Sequence, residues 1–161
     1  DVGELKLFRG MGGVKAITLA AAFEIGRRIQ AEPFSSKPAI RSPQDVANIF
    51  IPRMRGIRKE QFHVLLLNTA NQIFRETLVS EGSLNASIVH PREVFRLAVI
   101  ESAASIIVLH NHPSGNPEPS REDIEVTKQL VAAGSMLGIP VHDHVIIAGE
   151  SFSSLKQLNK M

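Results

Sequence analysis

The run Ser105-Ile106-Ile107-Val108-Leu109 constrains the fold more than any other stretch of the chain. Apolar side chains at consecutive strand positions point to both faces, so the strand must lie inside a sheet covered on both sides. It runs directly into a polar segment, HNHPSGNPEPSRED, at positions 110–123. Ends of buried strands are where α/β folds usually place their chemistry.

The remaining elements follow from the same reasoning. Phe62 and Val64 to Leu67 make a second buried strand, Asn68 to Asn71 a turn, and IFRETLVS a returning strand. Glu81-Gly82 marks another turn, and Ser87 to Val89 a short strand. Helices are expected over residues 13–31, after Ser42-Pro43, from Pro91 through PREVFRLAVIESA, and from Ser120 to about Leu137, where Gly138 ends it. In the first of these, Val14, Ile17, Leu19, Ala21, Phe23, Ile25 and Ile29 supply an apolar side. IPVHDHVIIAG reads as a further strand, and SFSSLKQLNKM as a last helix. The order predicts an α/β sandwich with a mixed central sheet flanked by helices. Residues 1–31 form one unit, 32–42 a Pro- and Ser-rich linker, and 43–161 the main domain.

Composition narrows the chemistry. The 161 residues are 43% hydrophobic and 21% charged, with no cysteine, so any metal must sit on His and carboxylate. No apolar run approaches the roughly 20 residues of a membrane span, and a cytoplasmic setting is expected. The net charge of +2 is too small to imply nucleic acid by itself. Lys6, Arg9, Lys15, Arg27 and Arg28 form one basic cluster, and Arg53, Arg55, Arg58 and Lys59 a second. Each is either a solvated basic face or a nucleic-acid-binding one.

His110 and His112 stand at i and i+2 on an extended segment, where both imidazoles can face one side. Asp123 follows in the first turn of the next helix. Two imidazoles and a carboxylate suit tetrahedral Zn²⁺ with one position open to water, although the ligand types also admit Mn²⁺ or Fe²⁺. A plainer account exists, since Ser120-Arg121-Glu122-Asp123 is also a helix-capping pattern.

His110-x-His112-Pro113 followed by Ser120-x-x-Asp123 resembles the JAMM signature of the MPN metalloprotease superfamily. The string HNHPSGNPEPS, with VHPREVF at 89–95 and DHVII at 143–147, resembles the bacterial RadC branch. The resemblance implies the MPN (JAMM, cytidine-deaminase-like) fold and one zinc per chain on His110, His112 and Asp123. It implies that Ser120 holds the oxyanion and that an upstream glutamate moves protons. Glu60, just before the strand FHVLLLN, fits that place best, with Glu81 and Glu101 as rivals. Asp143 or His144 is expected to orient a ligand from behind, whereas His63 and His90 are read as structural. The activity implied is zinc-dependent hydrolysis of a peptide or isopeptide bond, with the protein or peptide substrate unidentified.

Phe8 to Ala16, FRGMGGVKA, resembles the core of a helix-hairpin-helix, a motif that binds DNA without reading bases. Gly10, Gly12 and Lys15 would then meet a phosphate. Fewer residues precede Gly10 than that motif uses, so this is a remnant, and any duplex binding through it is weak. A DNA-repair-associated binding factor or nuclease is therefore the alternative function, and a metal-free scaffold a third.

Overall fold

A computed structural model describes residues 2–31, 39–82 and 89–161, with side chains for all of these but 26–31. Residues 87 and 88 of the expected strand and most of the expected linker at 32–42 lie outside the described residues, and Val89 is a buried residue in a bend. The chain divides into two compact units, Asp1–Lys37 and Pro38–Met161. Among the described residues no helix is long and apolar enough to cross a membrane.

The first unit is a helix–turn–helix: α1 (Val2–Leu5), a glycine-bearing turn, and α2 (Gly13–Ala31). The helix predicted at 13–31 forms, but its apolar side is not covered. Val14, Ile17, Leu19, Phe23 and Ile25 are exposed, and among the side chains described in this helix Ala16 alone is buried. Within this unit a four-residue α1 is too short to shield a nineteen-residue partner.

The second unit opens with α3 (Pro43–Met54), followed by β1 (Gln61–Leu67) and β2 (Ile73–Glu81). Then come α4 (Pro91–Ile100), β3 (Ser105–Asn111), α5 (Arg121–Leu137), β4 (Val141–Ala148) and β5 (Ser151–Ser154). The five strands form one sheet in the order β2-β1-β3-β4-β5. Only β3 and β4 run parallel; the other pairs are antiparallel. The sheet is therefore mixed, with β3 at its centre and buried along its whole length.

Alternation along the strands sends side chains to two cores. On one face Phe62, Val64, Leu66, Ile106 and Val108 pack with α4 and α5 through Val94, Phe95, Val126 and Leu130. On the other, Leu65, Leu67, Ile107, Leu109 and Val145 pack with α3 through Val46, Phe50 and Met54. Emptying one such leucine position to alanine costs roughly 2–5 kcal/mol. The seating of α5 depends on Gly134, because a Cβ there would lie 2.5 Å from the Ile139 carbonyl oxygen and 3.0 Å from the Phe95 ring. Gly138 then ends α5 in the left-handed region, with φ +69, where glycine carries no Cβ penalty.

Three expectations need correction. The tail is not a helix: Ser151–Ser154 pairs with β4 and the residues after it form turns. The helix beginning at Pro91 stops at Ile100, three residues early, and Ser102 follows with φ +52. The central strand does not end at Leu109 but continues through His110 and Asn111. Backbone pairing extends the strand past its apolar residues, because His110 pairs with Phe62 of β1 and with Ile146 of β4.

Candidate metal centre

His110 is fully buried at the end of β3, and His112 lies just beyond, where the chain turns toward α5. Gly115 closes that turn with φ +80, its N–H donating to the His112 carbonyl. Asp123 sits in the first turn of α5, where Ser120 is the N-cap. The Ser120 N–H and Oγ–H both donate to Asp123 Oδ2 at 2.7 Å, and the Asp123 N–H donates back to Ser120 Oγ at 3.1 Å. The capping pattern is therefore real, and it fixes where the carboxylate points.

Counting protons shows what the imidazoles present. Thr127 Oγ1 lies 2.5 Å from the Asp123 carbonyl oxygen, which can only accept, so the single hydroxyl proton goes there. Thr127 must then accept from His144 Nδ1, 2.6 Å away. Burial pushes the His144 pKa well below its usual value, so this ring is neutral and its Nε2 is bare. That Nε2 lies 2.8 Å from His110 Nδ1, which must carry the proton. With its Nδ1 proton so placed, His110 turns Nε2 toward His112. His112 Nδ1 lies 2.7 Å from the Asn116 carbonyl oxygen and must likewise donate. Its Nε2 also faces inward, so each ring offers a lone pair there unless a second proton occupies it.

These two Nε2 atoms are 2.9 Å apart. Asp123 Oδ1 is 3.2 Å from His110 Nε2, and Asp123 Oδ2 is 3.4 Å from His112 Nε2. Lone pairs and a buried carboxylate converging on one point call for a cation between them, either a proton or a metal ion. Interaction with Asp123 raises the His112 pKa against the opposing effect of burial, so a proton can serve. Burial raises the Asp123 pKa, but His110, His112 and Ser120 together outweigh it and hold the carboxyl well below the usual carboxylate range. The donor set also fits zinc. Ligands about 2.0–2.1 Å from a tetrahedral ion lie about 3.3–3.4 Å from each other, close to the separations found here.

Glu60 stands just before β1, with Oε1 3.9 Å from His112 Nε2. Glu60, His110 and His112 can bring ligand atoms within 4.8 Å of one another, so Glu60 competes with Asp123 for the third position. Asp123 is the closer carboxylate and touches both imidazoles. It is 5% exposed against 26% for Glu60, which faces the open side. The rivals are engaged elsewhere. Glu81 bridges Lys59 Nζ and Gln61 Nε2, both at 2.9 Å, and Glu101 pairs with Arg75 at 3.2 Å.

The two outer candidates separate. His144 backs His110, whereas Asp143 accepts from Ser154 Oγ and the Lys156 N–H on the β5 side and, at 2.7 Å, from the His144 backbone N–H. His63 lies 3.0 Å from Glu76, and His90 caps α4 by accepting from the Arg92 N–H at 3.1 Å. Two contributors escaped the sequence reading. One is Thr127, four residues after Asp123 and so on the same helix face, a spacing that would have revealed it. The other is Asn111, between the two histidines. Its Oδ1 accepts from the Gln61 N–H at 2.8 Å, and its Nδ2 donates to the Lys59 carbonyl at 3.1 Å. With the Gly82 N–H donating to the Glu60 carbonyl at 2.8 Å, the backbone on both sides of Glu60 is pinned.

Comparison with known proteins agrees with this fold. A family model described as a RadC-like JAB domain matches residues 40–160. A UPF0758 protein of Desulforamulus reducens is 49% identical over 155 residues, covering 96% of this chain and 68% of its own length. UPF0758 proteins of Salinibacter ruber and Methanosarcina mazei are each 52% identical, covering 96% and 97% of this chain. Those two matches take in 66% and 68% of the relatives, so the chain spans about two thirds of their length. With a JAB-type mixed sheet carrying a His-x-His and carboxylate cluster at the end of its central strand, the chain belongs to the RadC family.

Proposed function

We propose that this domain is a zinc-dependent hydrolase that cleaves an amide bond of peptide or isopeptide type. The observation behind the proposal is the pair of facing imidazole nitrogens 2.9 Å apart beside the buried Asp123 carboxylate, with Glu60 on the open side. His110, His112 and Asp123 hold the ion. When bound, zinc supplies a Lewis acid that makes water ionisable near pH 7, at a pKa of about 7 in place of 15.7.

The protein's own groups do the rest. Glu60 takes the proton of the attacking water and passes it to the leaving amine, a contribution of about 10²- to 10⁴-fold. Ser120 Oγ donates to the oxygen that gains charge as the carbonyl becomes tetrahedral. Its proton now rests on Asp123 Oδ2. A carboxylate shared with a cation would accept less strongly, and the Ser120 O–H would then be free to turn toward the substrate. The preference for amides is an analogy with the superfamily. Among the described residues one group that could hold an ion is found, Glu60 with His110 and His112, and a single cluster at this place favours single-metal hydrolysis over two-metal phosphodiester cleavage.

The test pairs metal content with turnover against peptide, isopeptide and DNA substrates. Glu60→Gln should keep one zinc per chain and lose amide cleavage. Full activity in that variant would remove Glu60 from the mechanism, and cleavage of DNA alone would replace the amide reading.

A second, separable reading concerns the first unit. Gly10 adopts φ +87 in the turn before α2, and Lys15 Nζ lies over it, 3.4 Å from its carbonyl oxygen. We propose weak, sequence-independent duplex binding through Gly10, Gly12 and Lys15. Lys15→Glu should weaken binding to all duplexes alike with a shallow salt dependence. Base-specific discrimination would contradict it.

A further inference from the structure

We infer that the substrate carries a carboxylate beside the scissile amide, and that Arg58 receives it. The inference rests on the hydrolase reading above. Three of the four cations between positions 53 and 59 are already paired: Arg53 with Glu76 at 2.6 Å, Arg55 with Glu150 at 2.7 Å, and Lys59 with Glu81 at 2.9 Å. Arg58 is exposed and has no carboxylate partner among the described residues. The basic cluster is thus a neutralised surface with one charge left over, and that charge faces the candidate site. Arg58 lines a groove of about 600 Å³ together with Lys59, Glu60, His112, Ser114 and Ser120.

Charge balance says what the groove accepts. The Lys59–Glu81 pair cancels. A divalent cation offsets Glu60 and Asp123. Arg58 then leaves the loaded groove one unit positive. Its planar fork of donors matches a carboxylate with two parallel hydrogen bonds, which a lysine cannot do. Its place is held from both sides in sequence. Ile57 packs against the core on the α3 face of the sheet, and the Lys59 carbonyl is fixed by Asn111. A cation held at the rim of that groove, with no carboxylate pair among the described residues, is placed to meet an anion.

Two carboxylate sources fit, an Asp or Glu side chain and a free chain terminus, and the test separates them. Zinc-loaded protein is titrated calorimetrically with acetohydroxamate and with ω-carboxy hydroxamates of two to four methylenes. The best carboxylate-bearing probe should bind about 3- to 10-fold more tightly than acetohydroxamate, as for a partly exposed charge-assisted pair. Arg58→Gln should erase that advantage, and Arg58→Glu should invert it, with zinc content unchanged in both. Equal binding of all probes by the parent protein would overturn the inference while leaving the metal site standing. Failure of every hydroxamate to bind would remove the hydrolase reading, and the inference with it. Peptides then assign the source. A C-amidated peptide with Glu beside the cleaved bond is compared with a neutral peptide bearing a free terminus. The preferred one should show a raised KM in Arg58→Gln, with most of the change in KM rather than kcat. Best cleavage of neutral amidated or Lys-containing peptides by the parent protein would also overturn it.

Discussion

The chain contains the same capping box twice. Ser42-x-x-Asp45 opens α3 and Ser120-x-x-Asp123 opens α5, and both serines and both aspartates exchange the reciprocal hydrogen bonds. At the first box the Ser42 N–H to Asp45 Oδ2 distance is 2.8 Å, and at the second the matching distance is 2.7 Å. Their surroundings differ. Asp45 takes a further bond from the Arg41 N–H and remains partly exposed, and that backbone bond is the main reason its pKa is lowered. Asp123 is buried against two imidazoles. A cap alone explains Asp45 completely. It explains only the orientation of Asp123, whose position beside His110 and His112 has no stabilising purpose without a cation.

Substitutions that treat the two boxes alike therefore break or sharpen this contrast. The largest effect is expected from Asp123→Asn, which should weaken zinc binding by more than about 100-fold, the upper range for groups that merely support a ligand. Asp45→Asn should leave zinc binding intact. Equal metal affinity in both variants, measured by competition with a chelator, would make Asp123 a cap and nothing more.

Next come the serines. Ser120→Ala should cut turnover by ~10²- to 10³-fold with zinc retained. Ser42→Ala should cost only about 0.5–2 kcal/mol of stability. Ser120→Asp caps as well as serine but sets a second carboxylate beside the reaction, so activity should fall further. Normal turnover and normal thermal stability in that variant would reduce Ser120 to a cap.

A smaller effect is expected behind the ligands. Thr127→Val removes the acceptor that fixes the His144 tautomer, and through it that of His110. Zinc affinity should fall by about 10- to 100-fold. Imidazole ¹⁵N shifts should report loss of the single tautomer at His144; unchanged shifts would contradict the proton count.

The smallest effect is on acid stability. A carboxyl whose folded pKa is depressed stabilises the fold fully above its unfolded value, about 3.9. That contribution is lost as pH falls from there toward the folded pKa. Asp45→Asn should therefore lower stability slightly at neutral pH and make it fall less steeply below about pH 4, so that the two proteins converge in acid. A steeper loss in acid would reverse the assigned sign.

The parts of the molecule legible in sequence are those where one residue type has one physical use. Val64 to Leu67 and Ile106 to Leu109 could only be buried strands, and Gly138 marked the end of α5 as expected. The pair His110 and His112 with Asp123 was visible because no ordinary turn needs that combination. Other features depended on partners distant in the chain. Ser151–Ser154 has a single large apolar residue, Phe152, so its strand character comes from pairing with β4 and not from its own pattern. Asn111 works through backbone groups at positions 59 and 61, which leave no side-chain signature. Nor could the second basic cluster be told from an anion-binding face until the partners of Arg53, Arg55 and Lys59 were known.

The central claim, that His110, His112 and Asp123 hold one metal ion, is tested most directly by elemental analysis of protein purified without added metal, followed by zinc titration. The parent chain should carry or take up one equivalent of zinc, and His112→Ala should retain none through gel filtration while staying folded. A full equivalent in His112→Ala, or no stoichiometric zinc in the parent chain after titration, would contradict the account.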